Sequence, residues 1–147
     1  MVSDRTRIEA LLPHRDPFLL VDRIVEEGEG WVLTEWDVPE DLPVFEGHFP
    51  GDPVLPGVMI SEHGFQSAAL AIYAGSDSKE EPGTPVLTRI EDARFKRIVR
   101  PGETLTTRAE IVETLANARF CKLTVTCDGT TVARIRCTLA LAPATAS

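Results

Sequence analysis

One segment of the sequence combines residues suited to proton transfer with residues that restrict the backbone. It reads EGHFPGDPVLPGVMISE and runs from Glu46 to Glu62. His48 lies in its proline- and glycine-rich part, and Glu62 lies where the pattern becomes that of a helix. Histidine titrates near neutral pH, which suits a general base. A carboxyl group on an apolar helix is costly unless it is paired or neutralised. The two residues are therefore a candidate base and acid.

The start of the predicted helix adds a third chemical group. Backbone N–H groups in the first turn of a helix have no intrahelical partner, and such groups can stabilise an oxyanion. Pro56 and Gly57 lead into this helix. A base, an acid and an oxyanion site together fit an elimination next to a carbonyl group. The base removes a proton from C2, and the acid protonates the hydroxyl group that leaves C3.

Other polar residues nearby are alternative candidates. His63 follows Glu62 directly, but successive residues of a helix point about 100° apart, so His63 faces another direction. His14 precedes a predicted strand. A metal site made from His48, Glu62 and His63 lacks the HExxH spacing. On spacing alone, the simpler interpretation of a structural histidine and a surface glutamate stays open.

Two predicted elements position the segment. Five prolines and three glycines lie between Pro39 and Gly57, and this density of helix and strand breakers prevents regular structure. We expect an ordered loop here, packed by its own apolar residues. Residues 58–74 follow as one helix with apolar residues around most of its circumference, which predicts a largely buried helix.

The remaining sequence has the alternation of strands. A short helical piece is expected at residues 5–12, and a mobile surface loop at 75–85. Asp128-Gly129 is a strong signal for a two-residue hairpin turn. The predicted strands cover residues 18–26, 31–38, 86–100, 104–113, 119–127 and 131–141. About six strands and one long helix predict a single α+β domain over residues 1–147, with an antiparallel sheet wrapped around the central helix.

Composition narrows the class of protein. The chain has 147 residues, of which 43% are hydrophobic, and its formal net charge is −8. A strongly acidic chain is a poor partner for nucleic acid. Its apolar stretches are shorter than a membrane helix needs, and its first residues lack a signal sequence, so we expect a cytoplasmic protein. The three cysteines have no CxxC spacing and are expected to be small buried residues.

The central segment resembles the signature of a known family. HFPGDPVLPGV, from His48 to Val58, followed by Glu62 and Gln66, closely resembles the β-hydroxyacyl-(acyl carrier protein) dehydratases of bacterial fatty-acid synthesis. Two further family motifs are matched, and the resemblance extends over residues 8–141. They are LPHRDPFLLVDR at 12–23 and ARFKR at 93–97 with PGE at 101–103.

The resemblance implies a hotdog fold, in which an antiparallel sheet wraps around a long helix. It implies His48 as the catalytic histidine and Glu62 as the catalytic acid. A glutamate at this position resembles the branch of the family that dehydrates without isomerising the double bond. The implied oxyanion donors are the backbone N–H groups of Gly57 and Val58. No metal or organic cofactor is implied. The residues that the resemblance assigns to the acyl tunnel are Phe49, Pro56 and Gln66.

The resemblance also implies partners. The active site of the family lies between two subunits, so we expect a homodimer or a trimer of dimers. The substrate would be a (3R)-hydroxyacyl thioester of acyl carrier protein or of coenzyme A, with its chain length open. Two other functions stay open. One is a hotdog thioesterase, a class that usually has the helix carboxylate without this loop histidine. The other is a non-catalytic acyl-binding domain.

Residues 94–100 form a local basic segment in this acidic chain. RFKRIVR holds four positive charges. If the segment is a strand, Arg94, Lys96 and Arg100 project to one face. We predict that this face docks an acidic carrier protein, because local charge steers encounter. The alternative is that the charges protect a strand edge from aggregation.

Overall fold

A six-stranded antiparallel sheet packs around one long helix in the computed structural model, which describes residues 2–75 and 83–143. The strand order is β1-β2-β4-β5-β6-β3. A short 3-10 helix, Pro43–Glu46, lies in the loop between β2 and α2. The elements are α1 (Arg5–Leu11), β1 (Arg23–Gly28), β2 (Trp31–Asp37), α2 (Gly57–Ile72), β3 (Thr84–Phe95), β4 (Thr104–Leu115), β5 (Ala118–Cys127) and β6 (Thr130–Ala142). The α+β prediction and the hotdog arrangement are confirmed.

Helix α2 is buried along most of its length, as its composition predicts. All residues from Phe65 to Ala71 are buried. At Gly64 the helix approaches β5 so closely that a Cβ atom would lie 3.0 Å from Leu123 Cδ1. The helix ends two residues earlier than predicted, and Gly75 follows it with a φ of +83°, a conformation that favours glycine. Close packing of this kind fixes the direction of each side chain on α2.

Two predicted strands differ from the observed strands by five residues at one end. Strand β1 begins at Arg23 and not at residue 18, because backbone groups of Phe18 and Leu20 bond to side chains of α2. Strand β3 ends at Phe95 and not at residue 100. Beyond it, the carbonyl of the buried Val99 accepts from Leu55 N–H at 2.8 Å, so the chain turns toward the loop before α2.

The hairpin between β5 and β6 has the predicted turn. Asp128 and Gly129 both have positive φ angles, 50° and 76°, as a type I′ turn requires. A bulge follows in the pairing between Val125 and Thr126 of β5. The cysteines are buried, as expected, and Cys121 and Cys137 are direct cross-strand neighbours on β5 and β6.

The two edges of the sheet differ in length and cover. Strand β1 has six residues, and Ser3 forms a bridge with Ile24 on it. Strand β3 has twelve residues, ten of them exposed. Its exposed apolar side chains are Val86, Leu87, Ile90 and Phe95. The predicted loop at 75–85 lies largely outside the described residues. Within residues 2–75 and 83–143, no helix is both long enough and apolar enough to cross a membrane.

Candidate active site

His48 is held by the loop that precedes α2. Its backbone N–H donates to the Val44 carbonyl at 3.0 Å, and its carbonyl accepts from Val54 N–H at 2.9 Å. Its ring Nδ1 lies 2.7 Å from the Val54 carbonyl oxygen. A carbonyl only accepts, so Nδ1 carries the proton and Nε2 of the neutral ring keeps a lone pair. This is the tautomer that a general base needs.

Glu62 lies in the second turn of α2 with its side chain partly exposed, at 26%. Gln66, one turn further along, donates its Nε2–H to Glu62 Oε2 at 2.9 Å. Nε2 of His14 lies 3.8 Å from the same oxygen. The two helix residues have the i, i+4 spacing at which side chains on one face meet, and this spacing was the available sequence signal for their contact.

Gln66 is itself fixed by the segment before β1. Its Oε1 accepts from Leu20 N–H at 2.8 Å, and its Nε2 also donates to the Phe18 carbonyl at 2.7 Å. Gln66 is 1% exposed. Since every one of these bonds has a fixed backbone partner, the amide orientation is determined. It therefore presents N–H, and not C=O, to Glu62.

The first turn of α2 begins beside the loop that holds His48. Pro56 is the N-cap, and its carbonyl accepts from the N–H groups of Met59 and Ile60 at 3.0 and 3.2 Å. The N–H groups of Gly57 and Val58 precede these and have no intrahelical acceptor by helix geometry. A Cβ atom on Gly57 would lie 3.4 Å from the Phe95 ring. The backbone here is suited to approach by an anionic oxygen.

The Glu62 side chain lines a groove of about 210 Å³ between α2 and β3. His14 and Gln66 line it beside Glu62, and Val86 and Leu87 of β3 form part of its wall. Of the three residues expected along the tunnel, Gln66 lines this groove. Phe49, Pro56 and the candidate base His48 are not among the described residues that line it. A single chain therefore supplies the groove with the acid and not with the base.

His63 lies on the face of α2 that packs against the sheet. It is 0% exposed. Its Nδ1 lies 2.7 Å from the Leu20 carbonyl and its Nε2 lies 2.7 Å from Thr107 Oγ1. Burial lowers the pKa of His63 to about 4. The ring is thus neutral near pH 7, with both nitrogens engaged, and the geometry does not favour the alternative in which His63 acts on substrate.

The basic segment at 94–100 is not one continuous strand. Arg94 is the last of its cations inside β3, where its Nε lies 3.1 Å from Asp92 Oδ2. Arg100 reaches the loop before α2, where its guanidinium lies 2.7 Å from Asp52 and 3.2 Å from the Pro53 carbonyl. The expectation that strand alternation aligns all three cations is therefore wrong for Arg100, while Arg94 and Lys96 line one groove.

Glu103, Cys127 and Asp128 bring potential metal ligands within 4.8 Å of one another. Glu103 already accepts from Arg97 at 2.7 Å and from Arg100 N–H at 2.8 Å. The bond from Arg97 lowers the pKa of Glu103, and burial raises the pKa of the Cys127 thiol. A protonated thiol beside a carboxylate that is paired with arginine is a structural cluster, so these residues do not favour a cation.

The sequence is similar to proteins of a known family. Residues 12–136 match the model of the FabA-like domain. A 3-hydroxyacyl-[acyl-carrier-protein] dehydratase FabZ of Clostridium perfringens is 42% identical over 122 residues, covering 83% of this chain and 86% of that protein. The FabZ of Caldicellulosiruptor saccharolyticus is 42% identical and covers 88% of this chain and 91% of its own length.

Solved structures add the fold. The dehydratase heterocomplex ApeI:P from Xenorhabdus doucetiae superposes with a TM-score of 0.76 at 17% identity, covering 92% of this chain and 90% of that one. A thioesterase from Haemophilus influenzae superposes with a TM-score of 0.61 at 24% identity, covering 86% of this chain and 80% of that one. At these identities the superpositions establish a shared fold, and the sequence matches establish the family. The chain belongs to the family of FabA-like domains.

Proposed function

We propose that this chain is a cytoplasmic dehydratase, built as one hotdog domain, that acts on a (3R)-hydroxyacyl thioester of acyl carrier protein. The product is the trans-2-enoyl thioester in fatty-acid or related acyl-chain synthesis. The observation that carries the proposal is the preset state of two side chains. His48 is held as the tautomer with a basic Nε2, and Glu62 is held by the N–H of Gln66. The names of the FabZ relatives support the same reaction.

The proposed reaction is an elimination with one base and one acid. His48 Nε2 takes the proton from C2, and the electron pair moves toward the thioester carbonyl. The N–H groups of Gly57 and Val58 stabilise the oxygen as its charge develops. Glu62 in its protonated form gives its proton to the C3 hydroxyl group, which leaves as water while the C2–C3 double bond forms. Each proton has a donor and an acceptor, and no cofactor is needed for the balance.

The site is proposed to be complete only in a homodimer. In one chain, His48 does not line the groove beside Glu62, so the base would come from a second copy. One wall of this groove is strand β3, which lies at an edge of the sheet and has exposed apolar residues. The backbone of an edge strand can pair with a further strand. Pairing of β3 with β3 of a second copy would cover this edge and bring the second chain's loop toward the groove. A trimer of such dimers is an additional assembly that the same interface permits.

One assay separates this function from its two competitors. The protein is incubated with 3-hydroxyacyl thioesters of carrier protein and of coenzyme A. Enoyl absorbance and free thiol are then followed separately. A dehydratase forms the enoyl product without thiol release, a thioesterase releases thiol, and an acyl-binding domain does neither. Thiol release without enoyl formation would overturn the proposal.

Mixing two inactive variants tests the shared site. His48→Ala and Glu62→Gln chains are purified separately, dissociated and reassembled together. Mixed dimers contain one site with both residues intact, so part of the activity returns. Neither variant should regain activity when it is reassembled alone. A fully active monomer in sedimentation would contradict the dimeric site.

A further inference from the structure

The outer surface of the sheet carries a groove of about 580 Å³ that is lined mainly by cations. We call it the basic groove, and its cations are Arg94, Lys96, Lys122, Arg134 and Arg136. Asp92 is the one acidic residue among its lining residues. The whole chain has a formal net charge of −8, so the charge of this surface is opposite in sign to that of the whole protein. It lies apart from Glu62 and its groove, which have different lining residues.

Strand pairing places the cations in two rows. In one row, Lys122 of β5 lies opposite Arg136 of β6, which lies opposite Asp92 of β3. In the next row, Arg134 of β6 lies between Thr124 of β5 and Arg94 of β3. Like charges directly opposite on neighbouring strands are destabilising. This arrangement therefore has a cost that an anionic partner would offset.

The acidic side chains near the groove offset only part of the repulsion between its cations. Asp92 lies 3.1 Å from Arg94 Nε, and Glu110 of β4 lies opposite Lys122, but two carboxylates cannot neutralise five cations. Lys122, Arg134 and Arg136 are all exposed. The alternation along β5 and β6 sends these three outward, while their neighbours Leu123 and Ile135 are buried and approach Gly64 of α2. The charges thus face solvent on a surface that the core does not use.

The position of the groove argues against edge protection. In the strand order, β5 and β6 are interior strands, each paired on both sides. Charges protect a sheet from aggregation when they lie on an unpaired edge, and three of the five cations do not. Edge protection can account for Arg94 on β3, but it gives no reason for Lys122, Arg134 and Arg136.

We propose that the basic groove docks an acidic helix of the protein that delivers the acyl thioester. Three neighbouring strands span about 10 Å, which matches the width of one α-helix with its side chains. Two rows of cations across that span can meet carboxylates one turn apart on the helix. This inference rests on the proposed function for the identity of the delivering protein. This docking surface differs from the one predicted from the sequence. It omits Arg100, which is held by Asp52, and it adds Lys122, Arg134 and Arg136, which lie outside the basic segment.

Charge reversal on the two interior strands tests the docking surface. The variant carries Lys122→Glu, Arg134→Glu and Arg136→Glu and is assayed as the assembled enzyme. With the carrier-bound substrate, kcat/KM should fall by about tenfold or more at low salt, since steering depends on local charge. The defect should shrink as salt rises, because exposed charges are screened beyond about 10 Å at 0.1 M. With the same acyl group on N-acetylcysteamine, activity should stay within about twofold.

Two matched variants control for folding and for the type of cation. Lys122→Arg with Arg134→Lys and Arg136→Lys keeps every charge and should keep the carrier-dependent activity. A triple change to Gln removes the charges without reversing them and should give an intermediate loss. Circular dichroism checks that each variant is folded. If the folded Glu and Gln variants both use carrier-bound substrate like the wild type, the docking proposal is overturned.

The remaining outcomes separate this inference from the proposed function. A wild-type enzyme that dehydrates neither substrate overturns the function. A wild-type enzyme that dehydrates both, with folded variants that lose both equally, overturns the docking surface alone. If the coenzyme A thioester loses as much as the carrier-bound one, the groove binds phosphate groups and the protein partner is wrong. Affinity for the acyl-free carrier, measured by fluorescence anisotropy, should fall in parallel with kcat/KM.

Discussion

Helix α2 has two polar faces that differ in how their hydrogen bonds are completed. On the face toward the sheet, His63 and Ser67 are fully buried and bond to Thr107 and Thr34. On the face toward the groove, Glu62 is partly exposed. The first face completes its bonds with sheet and backbone groups, and it rigidifies the protein. The second face leaves the Glu62 carboxylate accessible to a ligand, and a catalytic acid must be able to reach its substrate.

Sequence position does not separate these two roles. Glu62 and His63 are adjacent, and they are the two titratable residues of α2. The rotation of about 100° between them sends one toward an open groove and the other into the core. The residue types alone would favour His63 as the base near neutral pH. Its burial and its two bonded nitrogens make it a structural residue instead.

The largest expected contrast is between activity losses on the two faces. Glu62→Gln should lower turnover by about 10² or more, the scale of a general acid, with little change in the urea midpoint. His48→Ala in the loop should lower turnover by a similar factor. The matched control is His63→Gln on the next residue, which should lower the urea midpoint and keep most of the turnover per folded protein. If Glu62→Gln or His48→Ala retains more than about a third of the activity, its assigned role is wrong.

The buried face predicts a pH effect on stability. His63 has a pKa of about 4 in the folded protein, against 6.5 when unfolded. Between these values the unfolded chain binds a proton that the folded chain does not, so stability is full above pH 6.5 and falls as pH falls toward 4. The slope is at most about 1.4 kcal/mol per pH unit, which gives a total of about 3 kcal/mol.

The measurement is the free energy of unfolding from pH 8 to pH 4.5 for the wild type and for His63→Gln. The scan stops at pH 4.5 so that most of the stability lost through His63 is measured before Glu27, Asp37 and Glu103 lose their contributions. Their pKa values are lowered in the folded protein, and their contributions are lost at more acidic pH. The variant should be less stable at pH 8 but should show a flatter profile. Equal slopes in both proteins would show that His63 is not the titrating group.

Gln66 joins the groove to the segment before β1, and its change should have a moderate effect. Gln66→Met keeps the length of the side chain and removes its three hydrogen bonds. The Glu62 carboxylate then loses the hydrogen bond that it accepts from Gln66. We expect kcat to fall by about tenfold with little change in KM, because positioning acts on the reaction step. A change in KM alone would indicate that Gln66 contacts the acyl chain, as the tunnel assignment implies.

Local sequence patterns predicted those parts of the molecule that depend on neighbouring residues. Apolar residues around most of the circumference of residues 58–74 predicted a buried helix, and α2 covers Gly57–Ile72. Asp128-Gly129 predicted the hairpin turn that the structure has. The density of proline predicted an irregular segment before α2, and the segment is irregular apart from the 3-10 helix Pro43–Glu46. In each case the physical cause lies within a few residues of the feature.

Features that depend on distant residues were not predictable in the same way. Leu20 and Thr107, which bond to His63, are 43 and 44 residues away in the chain. The basic groove depends on the bulge near Val125. Without it, the register that starts at Cys127 and Thr130 would place Lys122 opposite Ile135 and not opposite Arg136. A bulge has no clear signal in one sequence, so the two rows of cations appear only in the structure.

The smallest expected effect concerns a hydroxyl pair on the buried face of α2. Ser67 Oγ donates to the His63 carbonyl at 3.0 Å and lies 2.7 Å from Thr34 Oγ1 on β2, so the Thr34 hydroxyl donates to it. Ser67→Ala leaves the Thr34 hydroxyl buried without its acceptor and should cost about 1 to 2 kcal/mol. Adding Thr34→Val replaces that hydroxyl by a methyl group of similar shape and should recover most of the loss, since no unpaired polar group remains. Urea denaturation of the two single variants and the double variant gives the coupling energy. Activity should be unchanged in all three, because this face does not reach the groove. Purely additive losses would show that the hydroxyl pair contributes nothing, and a fall in turnover would show that the two faces of α2 are not independent.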